Sequence, residues 1–355
     1  MSSESGKKNV VIVGGGIAGS LVAQRIQDHA LVTLIDPKEY FEITWAALRS
    51  MVDLSMAERT LINYTEFLPN VKLVTSWAIN VTENEVITSD GDHLQYDYLV
   101  IATGHVHLDP VTRSEGLLKY QTAFDKITSS KSILVIGGGP TGVELVGEII
   151  DHFPGKKITL VHRGSRLLEF IGSKASNKAS DWLASKNVEV IVSQSVSLTT
   201  SEGVYLTSGG ETIVADCFFD CTGKPLGSSW LTDTILRGSL DLQRRLAVDE
   251  HLRVKGCSNI FAIGDITNIR ELKQGYLAMR HAEVVAKNMM LLLEEEPENK
   301  LATYKAGRPV AFVSLGKKDG VAQLNCFTLN GRLPGFIKSG DLFVSRTRKA
   351  YGLKP

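Results

Sequence analysis

Two stretches of the chain show the same order of apolar and polar positions. Each begins with a short apolar run, at residues 10–13 and 133–136, and passes through a glycine-rich turn into a segment with helical character. A second apolar run closes each unit, at residues 31–35 and 158–161. This order of short buried run, turn, helix and second run predicts a βαβ unit with parallel strands. The chain therefore carries the same unit twice.

Both turns have the spacing G-x-G-x-x-G. The first glycine permits a tight turn, the second lets the backbone approach a pyrophosphate, and the third lets helix and strand pack closely. N–H groups at the start of the helix then hold the phosphates. The residues predicted to form the two cradles are Gly14, Gly15, Gly16, Ile17, Ala18 and Gly19 in the first, and Gly137, Gly139, Pro140, Thr141 and Gly142 in the second. One such loop is weak evidence, but two in this context predict two dinucleotide sites.

The second strand of each unit ends on a different kind of residue. Asp36 closes the first unit about 20 residues past its glycines, where a carboxylate binds a ribose hydroxyl. His162 stands at the matching position of the second unit, followed by Arg163 and then Arg166. Without an acid there, a 2′-phosphate is not repelled and the arginines can pair with it, so NADPH is expected to serve alongside NADH. The alternative is that these are ordinary loop cations.

Three later apolar runs end in small polar residues. "YDYLVIATG" ends at Thr103 and Gly104, "DCFFDCTG" ends at Gly223, and "NIFAIGD" ends at Asp265. They predict strands that bring these residues to the edges of the two sheets, with Asp265 as a cofactor contact or, alternatively, a turn aspartate. A long helix is expected over residues 276–293. His105 and His107, just after "ATG", are interpreted as loop polarity.

Composition narrows the range of functions. The 355 residues, 43% of them hydrophobic, indicate two or three globular domains, and 39 basic against 39 acidic residues make nucleic acid an unlikely partner. Cys217, Cys221, Cys257 and Cys326 form no C-x-x-C pair, so neither a zinc ribbon nor a redox dithiol is expected. The histidines lack metal-site spacing, and no metal is predicted.

Targeting signals are not visible in the sequence. No apolar run approaches the roughly 20 residues of a membrane-spanning helix, and the first residues lack the apolar core of a signal peptide. Ser2 stands where N-myristoylation requires glycine. A cytoplasmic protein is therefore expected, with any membrane attachment peripheral.

The two fingerprints, "ATG", "CTG" and the late "GD" resemble the flavoprotein oxidoreductases that bind two dinucleotides. Within them the chain resembles the apoptosis-inducing-factor-like ferroptosis suppressor protein family, which is related to type II NADH dehydrogenases. The stretches that carry this resemblance are "AALR" (46–49), "DEHLRVKGCSNIFAIGD" (249–265), "LGKKDGVAQ" (315–323) and "DLFVS" (341–345). The resemblance implies an α/β fold with two Rossmann-like domains. The FAD domain would be discontinuous, at 1–108 and 246–300, with an NAD(P)H domain at 109–245 and a flavin-covering region at 301–355.

The same resemblance implies an FAD-dependent NAD(P)H:quinone oxidoreductase. Hydride would pass from NAD(P)H to FAD and then to a membrane quinone such as ubiquinone, in a ping-pong mechanism that supports lipid antioxidant defence. It would need two dinucleotide cradles, which accounts for the repeated unit. Two other functions stay open: a flavin-stabilised apoptosis effector or binding protein, and a monodehydroascorbate reductase. A homodimer is one assembly that the resemblance allows.

The resemblance also implies roles for single residues. Arg49 is expected near the flavin or its phosphates, Ser76 near the adenine, Glu144 at the hydride-transfer site and Lys338 at the quinone entrance. From the residues alone, Arg49 could instead form a surface salt bridge. Glu144 lies in the first turn of its helix, where the helix dipole already favours a carboxylate.

Residues 334–355, "PGFIKSGDLFVSRTRKAYGLKP", are the expected membrane-docking segment. They carry five cations and one carboxylate, a net side-chain charge of +4, interleaved with apolar residues. Cations are attracted to anionic head groups, and aromatic residues can enter the acyl boundary. The alternative is that these apolar residues pack onto the FAD domain.

Overall fold

A computed structural model describes residues 6–106, 111–198, 202–325 and 327–355. Ser2, His107 and Cys326, which figure in the sequence analysis, lie outside the described residues. The strands are β1 (Asn9–Val13), β2 (Leu31–Ile35), β3 (Tyr40–Glu42), β4 (Leu61–Asn63), β5 (Val71–Val74), β6 (Ala78–Val81), β7 (Glu85–Thr88), β8 (His93–Gln95), β9 (Tyr98–Ile101), β10 (Ser132–Ile136), β11 (Lys157–Val161), β12 (Glu189–Ile191), β13 (Val196–Leu198), β14 (Val204–Thr207), β15 (Thr212–Val214), β16 (Cys217–Asp220), β17 (Ile260–Ala262), β18 (Val310–Leu315), β19 (Asp319–Leu324) and β20 (Phe327–Gly331). The α-helices are α1 (Ile17–Ile26), α2 (Ala47–Ser50), α3 (Leu54–Thr60), α4 (Arg113–Ser129), α5 (Pro140–His152), α6 (Ser173–Ser185), α7 (Gly275–Leu293), α8 (Arg332–Lys338) and α9 (Val344–Ala350).

Both predicted βαβ units are present. In the described part of the chain, the first sheet has the parallel order β17-β9-β1-β2-β5, and the second has the parallel order β12-β11-β10-β16. Helix α1 or α5 joins the first two strands of each unit. Strands β9 and β16 lie beside β1 and β10, so the ends of "ATG" and "CTG" occupy matching places. The predicted α/β fold class is confirmed.

Strand β17 brings a distant segment back to the first sheet. It pairs with β9, which places the turn after it at the same sheet edge as the first glycine loop. Helix α7 follows and packs against α1. The first sheet is therefore assembled from two separate parts of the chain.

The C-terminal region packs against the second unit. Strands β18, β19 and β20 form an antiparallel sheet, and α5 lies against β18. The approach is close, because a Cβ atom at Gly147 of α5 would lie 2.5 Å from the backbone nitrogen of Gly316. Glycine is therefore required at this point of helix contact.

A buried ion pair connects three parts of the chain. The guanidinium of Arg49, on α2, forms two hydrogen bonds with the carboxylate of Glu148, on α5, at 2.9 and 2.8 Å. Its remaining nitrogen, Nη1, donates to the carbonyl oxygens of Ser339 and Gly340, at 2.8 and 2.6 Å. Both charged side chains are almost fully buried. This cluster ties α2, the second unit and the C-terminal region together.

Glu148→Gln should destabilise the protein strongly. The substitution leaves the buried Arg49 without a counter-charge, which costs about 3–5 kcal/mol when one partner of a buried pair is removed. Urea unfolding followed by circular dichroism measures the effect. The control is Glu58→Gln, which removes a carboxylate from the more exposed pair with Arg113 and should change stability by under about 1 kcal/mol. Equal midpoints for the two variants would contradict this role of the ion pair.

Candidate functional site

A cleft of about 300 Å³ opens at the carboxyl ends of the strands of the first sheet. Parallel α/β sheets bind ligands at this edge. The residues predicted to contact FAD that line the cleft are Gly14, Gly15, Gly16, Ile17, Ala18, Asp36, Ser76, Thr103, Gly104 and Asp265. The fold thus brings into one cleft residues that lie up to 251 positions apart in the sequence.

The two glycine loops have the same geometry. Gly14 and Gly137 have φ angles of +101° and +111°, in the region that glycine adopts without strain. A Cβ atom at either would collide with a backbone carbonyl oxygen, of Ala102 at 2.6 Å and of Cys221 at 2.5 Å. At Gly16 a Cβ would meet nothing within 4 Å and would project into open space. The loop therefore leaves room for a group that approaches its backbone.

Three side chains form hydrogen bonds with the backbone of the first glycine loop and the start of α1. The Gly15 amide donates to Asp36 Oδ2 at 2.6 Å, and the Tyr64 hydroxyl donates to the Gly15 carbonyl at 2.8 Å. The Tyr351 hydroxyl donates to the carbonyl of Ile17 at 2.6 Å. Burial raises the pKa of Tyr64 well above its ordinary value, so its hydroxyl stays a donor. Sequence reasoning missed both tyrosines, because nothing local in the sequence links them to the loop.

Asp265 has a partner in the cleft. His105 Nδ1 lies 3.1 Å from its Oδ2, and Arg245 donates to its backbone carbonyl at 2.5 Å. Thr103, from the same strand end as His105, donates to the Gly227 carbonyl at 2.6 Å. His105, interpreted from sequence as loop polarity, is therefore a lining residue of the cleft. His105 follows β9 and Asp265 follows β17, so the pairing of these two strands could have predicted their contact.

A buried polar chain lies behind Asp265. His281 Nδ1 accepts from the Gly264 amide at 3.0 Å, and its Nε2 lies 2.8 Å from Glu271 Oε1. The other oxygen of Glu271 accepts from the Tyr304 hydroxyl at 2.7 Å. Burial lowers the pKa of His281, which outweighs the opposing effect of Glu271. A neutral ring with its proton on Nε2 satisfies both hydrogen bonds and positions the Gly264 turn.

Arg49 is not among the residues that line the cleft. It was expected near the flavin or its phosphates, but its guanidinium is occupied by Glu148 and the carbonyls of Ser339 and Gly340. The alternative of a surface salt bridge is wrong, since the pair is buried. The "AALR" stretch therefore serves the packing of domains in this structure.

The two residues expected to act at hydride transfer and quinone entry contact each other. Lys338 Nζ donates to Glu144 Oε1 at 2.5 Å and to the Phe312 carbonyl at 3.0 Å. The same Glu144 oxygen accepts from the Ser314 amide at 2.9 Å. Both side chains are largely buried. Glu144 thus turns away from the glycine loop and toward the C-terminal region.

The second loop is braced by the residue at the end of β11. The Gly138 amide donates to His162 Nδ1 at 3.1 Å, as the Gly15 amide donates to Asp36. The sequence match between His162 and Asp36 is therefore also a geometric one. Arg163 is exposed, next to His162.

The predicted docking segment divides into two parts. Leu342, Val344 and Tyr351 are buried, and Tyr351 packs against the rings of Phe41 and Phe67 at centroid distances of 4.8 and 5.2 Å. This part fits the alternative of packing onto the first unit. Helix α8 instead exposes its apolar side chains, with Leu333 61%, Phe336 87% and Ile337 43% exposed.

Comparison with known proteins identifies the family. The family model described as pyridine nucleotide-disulphide oxidoreductase matches residues 8–283. The chain belongs to this family. Among its curated relatives, apoptosis-inducing factor homolog A of Dictyostelium discoideum is 32% identical and covers 96% of this chain and 91% of its own. Ferroptosis suppressor protein 1 of Homo sapiens is 32% identical and covers 100% of this chain and 99% of its own. The predicted resemblance is confirmed.

Two solved structures share the fold of this chain. The sulfide:quinone oxidoreductase of Aquifex aeolicus superposes with a TM-score of 0.73 at 20% identity, over 97% of this chain and 92% of that one. NDH2 of Plasmodium falciparum, solved in complex with NADH, gives 0.71 at 17% identity, over 96% and 98%. The chain is thus a flavoprotein oxidoreductase with FAD and NAD(P)H as cofactors.

The first cleft suits FAD chemically. The glycine loop offers backbone amides for a pyrophosphate, and Asp36 offers a carboxylate for a ribose. Trp230 lines the same cleft, and its indole Nε1 is buried without a hydrogen-bond partner among the described residues. A buried donor without a partner is costly, and a bound ligand would relieve that cost.

In the described ranges, no helix is both long and apolar enough to cross a membrane.

His281 should make the protein sensitive to acid. Its folded pKa is lowered from the usual value of about 6.5, so the unfolded chain binds a proton more readily. The stability from the neutral ring is present above about pH 6.5 and is lost as the pH falls toward the folded pKa, by at most about 1.4 kcal/mol per pH unit. Melting midpoints between pH 7.5 and 5.5 measure this loss. His281→Asn should show a smaller drop, and an identical drop would assign the sensitivity to other groups.

Proposed function

We propose that this chain is an NAD(P)H:quinone oxidoreductase that acts on a membrane quinone such as ubiquinone, by a ping-pong mechanism, in lipid antioxidant defence. The observation that carries the proposal is the contact between Glu144 and Lys338, which fastens the helix of the second dinucleotide loop to the C-terminal region. Full-length similarity to ferroptosis suppressor protein 1 supports it. The quinone named for the Aquifex structure belongs to that protein and agrees with this assignment.

The described cysteines favour an acceptor other than a disulfide. Only a thiolate acts as the nucleophile in dithiol chemistry. Burial raises the pKa of Cys221 to about 12 and raises the pKa of Cys217 as well. Neither thiol is suited to exchange with a disulfide, so electrons pass to the acceptor without these protein thiols.

Glu144 and Lys338 have complementary roles in the proposal. The redox chemistry would be supplied by FAD when bound, with NAD(P)H as hydride donor and the quinone as two-electron acceptor. Reduction of a quinone to a quinol by a hydride also consumes one proton. Lys338 is a buried ammonium held by Glu144, and it can present a donor to a quinone oxygen at the entrance. Glu144 fixes that ammonium and closes the hydride-transfer site. We also propose that the other residues predicted from the sequence to bind FAD or NAD(P)H do so, with Arg163 at NAD(P)H.

Glu144→Gln should slow flavin reduction by NADPH by about tenfold to a hundredfold. Glutamine keeps an oxygen acceptor for the Ser314 amide and the Lys338 ammonium but removes the negative charge, whereas alanine would remove the acceptor as well. Stopped-flow absorbance of the flavin measures reduction, and steady-state turnover with a soluble ubiquinone analogue measures the second half-reaction. Glu202→Gln, exposed in the same unit, is the matched control.

The outcomes of this experiment separate the candidate functions. Unchanged flavin reduction in Glu144→Gln would refute the role of Glu144. Faster turnover with monodehydroascorbate than with the quinone would favour the alternative function of monodehydroascorbate reductase. A flavin that neither NADH nor NADPH reduces would favour the binding protein or apoptosis effector.

We further propose that α8 docks on a membrane surface. Its exposed Leu333, Phe336 and Ile337 adjoin Lys338, so the apolar side chains lie next to the proposed quinone entrance. Arg332, at the start of the helix, is also exposed. A lipid quinone would then reach the site from the bilayer. The segment 334–355 as a whole is too broad an assignment, because Tyr351 supports the first glycine loop.

Leu333→Ser combined with Phe336→Ser should weaken vesicle binding by about tenfold or more, because each apolar side chain loses its transfer into lipid. Flotation with phosphatidylcholine vesicles containing phosphatidylserine measures binding. Turnover of ubiquinone-10 in the vesicles should fall while flavin reduction by NADPH stays unchanged. Leu118→Ser, at a position 63% exposed on α4, is the control. Equal binding of the double variant and the control would refute docking through α8.

A further inference from the structure

The second dinucleotide loop has no acid at the end of its strand. His162 replaces Asp36 there, and its Nδ1 accepts a hydrogen bond from the Gly138 amide. That nitrogen therefore carries no proton, and the neutral ring has its proton on Nε2. The strand end offers no carboxylate to a ribose hydroxyl.

A strained residue brings an acid from the following loop to this place. The Leu168 amide donates to the Gly138 carbonyl at 2.9 Å, so the loop folds back onto the glycines. Leu168 is fully buried with a φ of +52°, a conformation that leucine rarely adopts. Such strain persists where the surrounding structure imposes it, and it is frequent at functional sites. Glu169 is the next residue and is thereby held near the glycine loop.

The carboxylate of Glu169 is positioned but still accessible. Its Oε1 accepts from the Ser165 amide at 3.2 Å, and its Oε2 lies 4.0 Å from His162 Nε2. That Nε2 is buried and has no hydrogen-bond partner among the described residues. The Glu169 side chain is 51% exposed, so a ligand can reach it from solvent.

The nearby arginines are not equivalent. Arg166 donates to the carbonyls of Leu168 and Glu169, at 3.3 and 2.8 Å, and so braces the loop. Arg163 is exposed, and the structure gives its guanidinium no partner in the described residues. One carboxylate and one available guanidinium therefore flank the strand end.

We propose that Glu169 is the carboxylate that recognises the adenosine ribose of NAD(P)H. It accepts a hydrogen bond from the 2′-hydroxyl and repels a 2′-phosphate, while Arg163 attracts that phosphate. Selectivity between NADH and NADPH is then set by the balance of these two loop residues. This inference rests on the assignment of the second loop to NAD(P)H.

The test uses two nucleotide fragments that differ only by the 2′-phosphate. Adenosine 2′,5′-bisphosphate and adenosine 5′-monophosphate are titrated into the FAD-loaded protein by calorimetry. Glu169→Gln should tighten binding of the bisphosphate about tenfold, since a like charge is removed, and should weaken binding of the monophosphate a few-fold. Arg163→Gln should weaken binding of the bisphosphate relative to the monophosphate. Asp181→Asn removes an exposed charge from α6 in the same unit and should leave the ratio unchanged.

If Glu169→Gln binds both fragments and the ratio of their two dissociation constants is unchanged, the inference is overturned while the NAD(P)H assignment stays intact. An equal shift in Asp181→Asn would also overturn it, because the effect would then be one of net charge. Failure of the wild-type protein to bind either fragment would overturn both the inference and the assignment of the second loop. FAD content and melting midpoint verify that each variant is folded.

Discussion

Helix α5 carries two carboxylates one turn apart, and each is neutralised by a cation from a different part of the chain. Glu148 pairs with Arg49 of α2, and Glu144 pairs with Lys338 of the C-terminal region. Buried charges are costly unless they are paired and hydrogen-bonded. The positions of three regions around α5 are therefore coupled, since none can move away without leaving a charge stranded.

This coupling explains why the same helix serves both packing and the proposed chemistry. Its N-terminus opens from the second glycine loop, where a nucleotide phosphate would be held. One turn later, Glu144 contacts the residue proposed to face the quinone. The donor and acceptor ends of the proposed reaction are thus linked by a rigid element instead of a mobile loop, which suits a reaction that depends on accurate positioning.

Local patterns predicted the scaffold but not the contacts between its parts. The strands, the glycine loops and the alignment of His162 with Asp36 follow from apolar runs and spacing, and the structure reproduces them. The buried pairing of Arg49 was missed because its partner, Glu148, is 99 residues away along the chain. The division of the C-terminal segment also depended on distant partners, since Tyr351 is buried by Phe41 and Phe67. Such pairings are set by tertiary packing, which short-range patterns do not encode.

The bond from Tyr351 to Ile17 spans 334 positions of sequence. Biosynthesis proceeds from the N-terminus, so the first glycine loop is made early but acquires this support only after Tyr351 has left the ribosome. A nascent chain that has completed β1 and α1 still lacks both tyrosine hydroxyl groups that hold the loop in place, and Tyr351 is the later of the two. A chain shortened before Tyr351 would therefore form the first glycine loop without this hydrogen bond.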